Sequence, residues 1–383
     1  MFKLFVLGAG FSRPAGLPLG SELFAAVLSE ARRLNSNSVL IEDIDRYLEY
    51  IFLTKAIRLD RDSVDLEQFM SFLDIEHALR FTGSDRWSDA GNQTQLLVRY
   101  LIARVIHTMQ ARMSDQSRTL YDSFVQRLEG GDRILTFNYD TLIEEALDRS
   151  GKPYRFTPSR YSEATDIAAK YADGAEHDIT LLKLHGSIDW FDIRPYQKNV
   201  EYARGVVNAL PEDAVFNNAR IHSKTITQGP YWPHSDLNHI HRVLNLGEYF
   251  DAARPLVDAS PVIISPSYSK VLYLNSLVDF WDGFDSVGSL NGTLAIIGYS
   301  LPPYDEYVRQ ALYSAVRNFQ HYDTGTIIPK TTMRVVDYRP TEIARQEFLD
   351  TYRFVEWDRV DTYFGGFDSK AIEILFGPNL TSS

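Results

Sequence analysis

The sequence predicts an α/β fold: a doubly wound parallel sheet that carries a large helical insertion. Two patterns predict it. Short apolar segments end in glycine or polar residues, as buried parallel strands do, and amphipathic helical segments follow most of them. A long stretch with only helical periodicity separates the first strand from the second. With 383 residues, 44% of them hydrophobic, the chain has the material for a full core.

The first predicted strand covers Phe2 to Leu7 and leads through a glycine turn into the helix ELFAAVLSEARRL, with Ser21 as a candidate N-cap. Apolar residues then recur at three- and four-residue spacing in SVDLEQFMSFLDIEHALRF and TQLLVRYLIARVIHTMQARM. One helix suffices for a crossover between parallel strands. We therefore interpret residues 30–128 as a helical insertion.

Alternation of strands and helices resumes at residue 132. The predicted strands are DRILTFNYD, DITLLKLHGSIDW, PVIISP, GTLAIIGYS and TTMRVVDYRP. The predicted helices are TLIEEALDRSG, SYSKVLYLNSLVDFWDGF, PPYDEYVRQALYSAVRNF and TEIARQEFL. Residues 191–260 have no clear period, and we interpret them as a second insertion near the cleft. Residues 1–383 are thus interpreted as a single domain with two insertions.

Composition excludes several classes of function. The net charge of -12 argues against a general nucleic-acid binder, because phosphate contacts need clustered Lys and Arg. The chain contains no cysteine, which excludes disulfides, zinc ribbons and thiol nucleophiles. No apolar segment approaches the roughly 20 residues that span a bilayer, and Gly8 to Gly20 interrupt the first apolar run too early for a signal peptide. We expect a cytoplasmic protein that neither enters membranes nor reads nucleic-acid sequence directly.

Four predicted strands end in polar, glycine-containing turns, at residues 8–12, 136–140, 185–189 and 298–300. In an open parallel sheet, ligands bind beyond the carboxyl ends of the strands. We therefore expect these turns, which are far apart in sequence, to converge on one crevice.

Each turn taken alone has a structural alternative. The glycines of GAGFS would let a pyrophosphate approach the backbone, but Arg13 stands where the third glycine of G-x-G-x-x-G would be, so an ordinary strand-to-helix turn accounts for them equally well. Asn138 and Asp140 fall on one side of an extended strand, although Asp140 could instead cap the next helix. His185 could act as a base near neutral pH, but a histidine at a strand end is often structural.

The motifs GAGFSRPAGLP, TFNYD, KLHGS, GYSLPPYD and VVDY, in this order, resemble those of the sirtuin-like family, in particular the bacterial sirtuin-like NAD⁺ hydrolases of antiphage defence. The resemblance covers residues 1–25, 130–190 and 260–340. It implies a Rossmann-like fold with an NAD⁺ site at the carboxyl ends of the strands.

The resemblance also implies a role for each motif. Asn138 and Asp140 would face the nicotinamide ribose, and His185 would be the catalytic histidine. Asp337 would accept hydrogen bonds from the adenosine ribose, as acidic residues do in other dinucleotide folds. The residues implied to bind the dinucleotide are Gly8, Ala9, Gly10, Phe11, Ser12, Thr136, Gly298, Ser300 and Asp337.

One departure from the family bears on the reaction. Sirtuin deacylases carry a small module with a four-cysteine structural zinc, and this chain has no cysteine. The resemblance therefore implies an NAD⁺ glycohydrolase that releases nicotinamide and ADP-ribose to deplete NAD⁺ in antiphage defence, with no metal cofactor. The alternatives are an NAD-dependent protein deacylase and a catalytically silent subunit that binds NAD or ADP-ribose.

Further residues have both a functional and a simpler structural interpretation. His234, His239 and His241 could suggest a metal site, but a solvated or pocket-lining loop is the simpler interpretation. Asp65 and Glu67 stand at a predicted helix start, where carboxylates favour the dipole. Lys270 could contact a phosphate, although Ser267 or Ser269 capping a helix would account for its segment too.

The paired amphipathic helices of residues 30–128 suit self-association or a partner surface. The sequence shows no Walker A motif. Together with the resemblance, this predicts a homo-oligomer that acts with a separate HerA-type ATPase.

Overall fold

The computed structural model describes residues 2–35, 38–81, 91–172, 177–206, 210–211, 213–252, 260–268, 270, 275–321 and 330–377. A seven-stranded, all-parallel sheet lies at its centre. With strands numbered in chain order, the sheet contains β1 (Lys3–Leu7), β2 (Arg133–Thr136), β3 (Tyr154–Arg155), β6 (Ile179–Lys183), β10 (Thr293–Ile297), β11 (Met333–Val336) and β12 (Val360–Tyr363).

The strand order is β12-β11-β10-β1-β2-β6-β3. From the central β1 the chain moves outward on one side, then returns to β10 on the other side of β1 and moves outward again. This confirms the predicted doubly wound parallel sheet with its helical insertion. Every residue of β6 and β10 is buried, which explains why these strands have apolar runs rather than alternating ones.

The helices are α1 (Ala9–Ser12), α2 (Gly20–Arg33), α3 (Ser38–Lys55), α4 (Leu66–Leu79), α5 (Gln93–Ala111), α6 (Asp115–Gln126), α7 (Leu142–Ser150), α8 (Arg194–Val206), α9 (Leu246–Ala252), α10 (Glu306–His321), α11 (Glu342–Thr351) and α12 (Ser369–Phe376). The chain between β1 and β2 folds into α2 to α6, which we call the helical block. Within it, α2 and α3 pack on α5, and α4 packs on α2 and α3.

Helix starts in the helical block depend on side-chain caps. Asp65 accepts the N–H of Gln68 at 2.8 Å and begins α4, as the sequence predicts. Ser21, in contrast, is not an N-cap, because α2 already begins at Gly20. The Glu22 carboxylate accepts the N–H of Leu19 instead, at 3.1 Å.

The region 191–260 contains a small antiparallel sheet of β7 (Trp190–Asp192), β9 (Ile240–Val243) and β8 (Ser223–Thr225), beside α8 and α9. A two-stranded hairpin, β4 (Tyr161–Ala164) and β5 (Ala169–Tyr171), precedes β6. Strands of three or four residues are too short to show an alternation of apolar and polar residues in the sequence. Whether the region is a separate insertion with the predicted bounds stays a prediction.

Two predicted elements are wrong. PVIISP contributes only one isolated bridge, from Ile263 to Gly186. Its N–H groups at Val262 and Ile264 donate to carbonyls of the chain that follows β6 rather than to a neighbouring strand of the main sheet. In SYSKVLYLNSLVDFWDGF, the structure has a 3₁₀ helix over Asn275–Trp281 rather than an α-helix, and residues 269 and 271–274 lie outside the described residues. Among the helices that the structure describes, none is long and apolar enough to cross a membrane.

Candidate active site

The register of the sheet aligns the ends of its central strands. Leu7 pairs with Ile297 on one side and with Thr136 on the other. Thr136 in turn pairs with Lys183, and Ile297 with Val336. The residues that follow these strands therefore lie along one edge of the sheet, in the order Asp337, Gly298, Gly8, Phe137 and Leu184.

At the centre of this edge the first glycine turn packs directly against the turn after β10. The N–H of Gly8 donates to the Ile297 carbonyl at 2.9 Å, and the N–H of Gly10 donates to the Gly298 carbonyl at 2.8 Å. A Cβ on Gly10 would lie 2.7 Å from the Cα of Gly298, and a Cβ on Gly298, whose φ is +63°, would lie 2.3 Å from the nitrogen of Phe11. Close backbone packing thus requires glycine at positions 10 and 298. The N–H groups of Gly8 and Gly10, which were expected to hold a pyrophosphate, already donate to carbonyls in this conformation.

Beside these glycines, Ser12, Asn138 and Asp140 form a hydrogen-bonded group that we call the Ser12 cluster. The Asn138 Nδ2 donates to the Gly8 carbonyl and to the Ser12 hydroxyl, each at 2.9 Å. Ser12 in turn donates to Oδ2 of Asp140 at 2.6 Å, and both side chains are buried. The structure thereby brings together three of the predicted site residues.

The two oxygens of the Asp140 carboxylate have different partners. Its Oδ1 accepts the N–H of Leu142 at 3.2 Å, so the carboxylate helps to begin α7 while Oδ2 binds Ser12. The buried Lys183 ammonium donates to the Asp140 carbonyl and forms a 2.8 Å ion pair with Glu144. Asn138 differs, because among the described residues nothing donates to its amide oxygen, which leaves that oxygen available to a ligand.

His185 follows the next strand, β6, and is 5% exposed. Its ring contacts the ring of Phe137, at 5.0 Å between centroids, and its Nε2 lies 2.5 Å from the Tyr307 hydroxyl. Burial lowers the pKa of His185 to about 3; the Asp305 carboxylate and a hydrogen bond to the Phe137 backbone oppose this shift, and the Lys270 ammonium adds to it. The imidazole is therefore neutral near pH 7.

An ion-pair network that the sequence did not predict lies behind His185. The Lys270 ammonium is 2.5 Å from Oδ1 of Asp305 and 3.3 Å from the Glu67 carboxylate, and Tyr299 donates to Oδ2 of Asp305 at 2.7 Å. Burial would raise the pKa of Asp305, but His185, Lys270 and the hydrogen bond from Tyr299 hold it below its usual range. We call His185, Tyr307, Asp305, Lys270 and Glu67 the His185 cluster.

Three members of this network stand at positions where local sequence suggests a simpler role. Lys270 follows a serine-rich turn that suits a phosphate contact, but its partners in the structure are carboxylates. Glu67 lies in the first turn of α4, where it favours the helix dipole, and it also reaches across to Lys270. Asp305 stands directly before α10, a position typical of a helix cap. Only the contacts in the folded protein show that Lys270, Glu67 and Asp305 belong to one ion-pair network.

Asp337 lies on the opposite side of Gly298 from His185. The Asp337 Oδ1 accepts a hydrogen bond from the N–H of Tyr338 at 2.6 Å, and Oδ2 forms an ion pair with Arg339 at 3.2 Å. Burial raises the pKa of Asp337, although Arg339 and the Tyr338 N–H oppose this change. Arg339 and the exposed Ser300 line an open cavity of about 740 Å³ together with Arg309 and Phe348. Ser300 thus borders the same cavity as Arg339, the ion-pair partner of Asp337.

The remaining predicted residues also have contacts within the protein, and their role in binding stays a prediction. Thr136 accepts the N–H of Asn138 at 3.1 Å and thereby shapes the end of β2. The side chain of Phe11 belongs to an aromatic core with Tyr121, Phe124 and Phe367, so only its backbone borders the site. Ala9 begins the short helix α1.

The three histidines considered as metal ligands have different surroundings. His234 is exposed and lies 3.4 Å from Asp166, whereas His241 is in β9 against the ring of Phe216. In the ranges that the structure describes, no group of three or more His, Asp or Glu side chains is arranged to hold a metal ion.

Comparison with known proteins adds a partial match. A family model described as a SIR2-like domain matches residues 132–218, a segment that contains Asn138, Asp140 and His185 but neither the first glycine turn nor Asp337. The match supports a sirtuin-like relationship. Because sirtuin-like domains use NAD⁺, it also supports an NAD-related function.

Whole-chain comparisons add less. Among 46 matching solved chains is the structure of Sir2Tm bound to a propionylated peptide, with 11% sequence identity over 98% of this chain and 90% of that one. At a TM-score of 0.28, the likeness does not establish a shared fold. Comparison with curated proteins found no significant match.

Proposed function

We propose that this protein is an NAD⁺ glycohydrolase that cleaves NAD⁺ to nicotinamide and ADP-ribose. The observation that carries the proposal is the Ser12 cluster, in which a fixed amide and a carboxylate stand at the carboxyl ends of β1 and β2. Their neighbour on the next strand is a neutral imidazole. The segment that matches the SIR2-like model contains Asn138, Asp140 and His185.

The reaction needs little acid catalysis. Nicotinamide leaves as a neutral molecule from a cationic bond, and the ribose develops oxocarbenium character, as sugars do in other glycosyl transfers. The enzyme has to orient the ribose, stabilise positive charge and place a water molecule. A preorganised carboxylate next to the developing charge supplies such stabilisation, which is the role proposed for Asp140.

Asn138 is suited to hold the water or the nicotinamide carboxamide. Its two amide hydrogens are committed to Gly8 and Ser12, so the side chain is held in one orientation with its oxygen as a fixed acceptor. Orientation of this kind lowers the entropic cost of placing the reactants. At the other end of the dinucleotide, Asp337 would accept hydrogen bonds from the adenosine ribose after a change in its contact with Arg339.

The biological role belongs to the same proposal. Hydrolysis would deplete NAD⁺ in antiphage defence, and the protein would act as a homo-oligomer together with a HerA-type ATPase. Large apolar side chains exposed on the helical block favour an assembly surface, among them Leu53, Leu79 and Phe81 at 71%, 61% and 68% exposure. Measuring particle size and NAD⁺ turnover over a protein concentration series tests this part, and full activity as a monomer that no partner changes would refute it.

The test of the reaction is to incubate the purified protein with NAD⁺ and to identify the products by mass, with and without an acylated peptide. Nicotinamide and ADP-ribose in equal amounts, independent of the peptide, are expected. Peptide-dependent formation of O-acyl-ADP-ribose would identify a deacylase instead. Tight binding of NAD⁺ without release of nicotinamide would identify a catalytically silent subunit.

A further inference from the structure

The contact between His185 and Tyr307 leaves the imidazole with a defined pair of partners. A neutral imidazole has one N–H donor and one acceptor nitrogen. Burial has the largest effect on the pKa of His185, and it lowers it. A hydrogen bond to the Phe137 backbone has the opposite effect, as expected where a ring N–H donates to that backbone carbonyl. Nε2 is then the acceptor, and the hydroxyl 2.5 Å away, that of Tyr307, is its donor.

His185 and Tyr307 differ in solvent exposure, and the difference decides which of them a water molecule or a ribose hydroxyl can reach. His185 is 5% exposed, whereas Tyr307 is only partly buried and has its ring against Trp281 at 5.4 Å. A water or ribose hydroxyl cannot hydrogen-bond to Nε2 without displacing Tyr307. Tyr307 is the more exposed residue of the pair, so a water that leaves this contact intact would meet the tyrosine oxygen rather than Nε2.

Tyr307 is held in place by the buried ion pairs. It lies in the first turn of α10, and Asp305, the residue before that helix, is fixed by Lys270 at 2.5 Å and by the Tyr299 hydroxyl at 2.7 Å. Burial raises the pKa of Tyr307 well above its usual value, and the Asp305 carboxylate adds to this effect. The hydroxyl accordingly stays protonated and can donate to His185.

We propose that Tyr307 is a proton relay between the attacking water and His185, an inference that rests on the proposed cleavage of NAD⁺. The bond from the ribose carbon to nicotinamide breaks, and its electron pair leaves with the nicotinamide nitrogen. The water oxygen bonds to that carbon and loses a proton to Tyr307, whose own proton passes to Nε2. Once ADP-ribose has left, the proton passes back from Nε2 through the Tyr307 hydroxyl to solvent water, which restores the neutral imidazole.

A weakly basic imidazole is adequate for this step. Water that has added to a cationic sugar carbon is strongly acidic, so its proton can pass to a group that would be a poor base towards an ordinary hydroxyl. The relay also explains how a histidine that is almost fully buried can take part in the reaction.

The test compares steady-state NAD⁺ cleavage by the wild type, Tyr307→Phe, His185→Gln and the double variant. Tyr307→Phe is expected to lower kcat by about 10²-fold or more with KM within about twofold, and the double variant to be no slower than His185→Gln alone, as expected for residues that act as a unit. Tyr313→Phe is the matched control: it removes a hydroxyl from the same helix, where the partner is the exposed Arg317, and should leave kcat unchanged. Thermal unfolding shows whether each variant is folded.

Retention of wild-type kcat by a folded Tyr307→Phe would overturn the relay, and an increase would identify Tyr307 as a group that blocks His185. The wild type gives a second readout that needs no turnover, the ¹⁵N chemical shifts of the His185 ring. They are expected to show Nε2 as an unprotonated, hydrogen-bonded acceptor, and a protonated Nε2 would overturn the relay. Absence of NAD⁺ cleavage at every protein concentration, both with and without a HerA-type ATPase, would refute the proposed function and, with it, the relay step, even with the expected shifts.

Discussion

The Ser12 cluster and the His185 cluster lie on the same edge of one sheet, yet they are built differently. The Ser12 cluster comes from two strand-end turns and is held by hydrogen bonds of 2.6 to 2.9 Å. The members of the His185 cluster come from the turn after β6, the start of α10, α4 and the single residue Lys270, and ion pairs of the buried Lys270 hold the cluster together. The sheet register brings the first together, with α6 packed against the neighbouring Phe11. The second, in contrast, takes one of its own members from α4 of the helical block.

This difference links the helical block to the candidate catalytic histidine. Glu67 in the first turn of α4 contacts Lys270, Lys270 contacts Asp305, and Asp305 precedes the helix that carries Tyr307. The Ser12 cluster has no member in the helical block. A disturbance of α4 should therefore affect the His185 cluster more strongly than the Ser12 cluster.

The largest expected effect is on stability. Lys270→Met leaves the carboxylate of Asp305 buried without its ammonium partner, and we expect the free energy of unfolding to fall by about 3–5 kcal/mol in urea titrations. Arg61→Met is the control, since the Arg61–Asp45 pair is about half exposed, and it should leave the urea midpoint nearly unchanged. Equal losses in the two variants would mean that the network does not stabilise the His185 cluster.

The next effect is on the rate. Asn138→Ala removes the fixed amide of the Ser12 cluster, and we expect kcat for NAD⁺ cleavage to fall about 10²- to 10³-fold, as when one preorganised polar group is lost. Asn217→Ala, at an exposed amide in the region 191–260, controls for loss of an asparagine. Near-normal turnover by Asn138→Ala would place the chemistry elsewhere.

A smaller effect is expected in binding. Asp337→Ala should weaken NAD⁺ affinity by about 1.5–3 kcal/mol, the range for a hydrogen bond to a charged group, and should change kcat little because the adenosine end is remote from the broken bond. Calorimetry on the Asn138→Ala background measures this with turnover slowed, and Asp115→Ala, at a fully exposed aspartate of α6, is the control. An unchanged dissociation constant would count against Asp337 as the ribose ligand.

The smallest effect concerns pH. The pKa of His185 is lowered by burial to about 3, so the ring that has to be neutral for catalysis stays neutral as the pH falls from 7 to 5. A histidine with the ordinary pKa of about 6.5 would lose roughly 25-fold of its neutral form over that range. We expect kcat to fall less than about twofold between pH 7 and 5. An inflection in the pH profile of kcat near the ordinary histidine pKa, present in the wild type and absent in His185→Gln, would contradict the lowered pKa of His185.

The sequence predicted the strands, which depend on local patterns of apolar residues, and the edge of the sheet where the carboxyl ends of parallel strands meet. Apolar runs ending in glycine or polar turns located β1, β6 and β10, and the rule that ligands bind at carboxyl ends assigned Ser12, Asn138 and His185 to one edge of the sheet. Tyr307 was missed as a site residue because a tyrosine in the first turn of a helix has many ordinary roles. Lys270 was considered only as a phosphate contact, and its carboxylate partners were missed. Their partners lie 122 and 203 residues away along the chain, and only tertiary packing brings them together.

The most direct test of the central claim is a crystal structure of the full chain with a non-hydrolysable carbocyclic NAD⁺ analogue. Our account predicts the nicotinamide end at the carboxyl ends of β2 and β6, with Asn138 and Tyr307 within hydrogen-bond distance of the ribose or of an ordered water, and the adenosine ribose beside Asp337. An analogue bound only elsewhere, with the Ser12 and His185 clusters free of contact to it, would contradict the account.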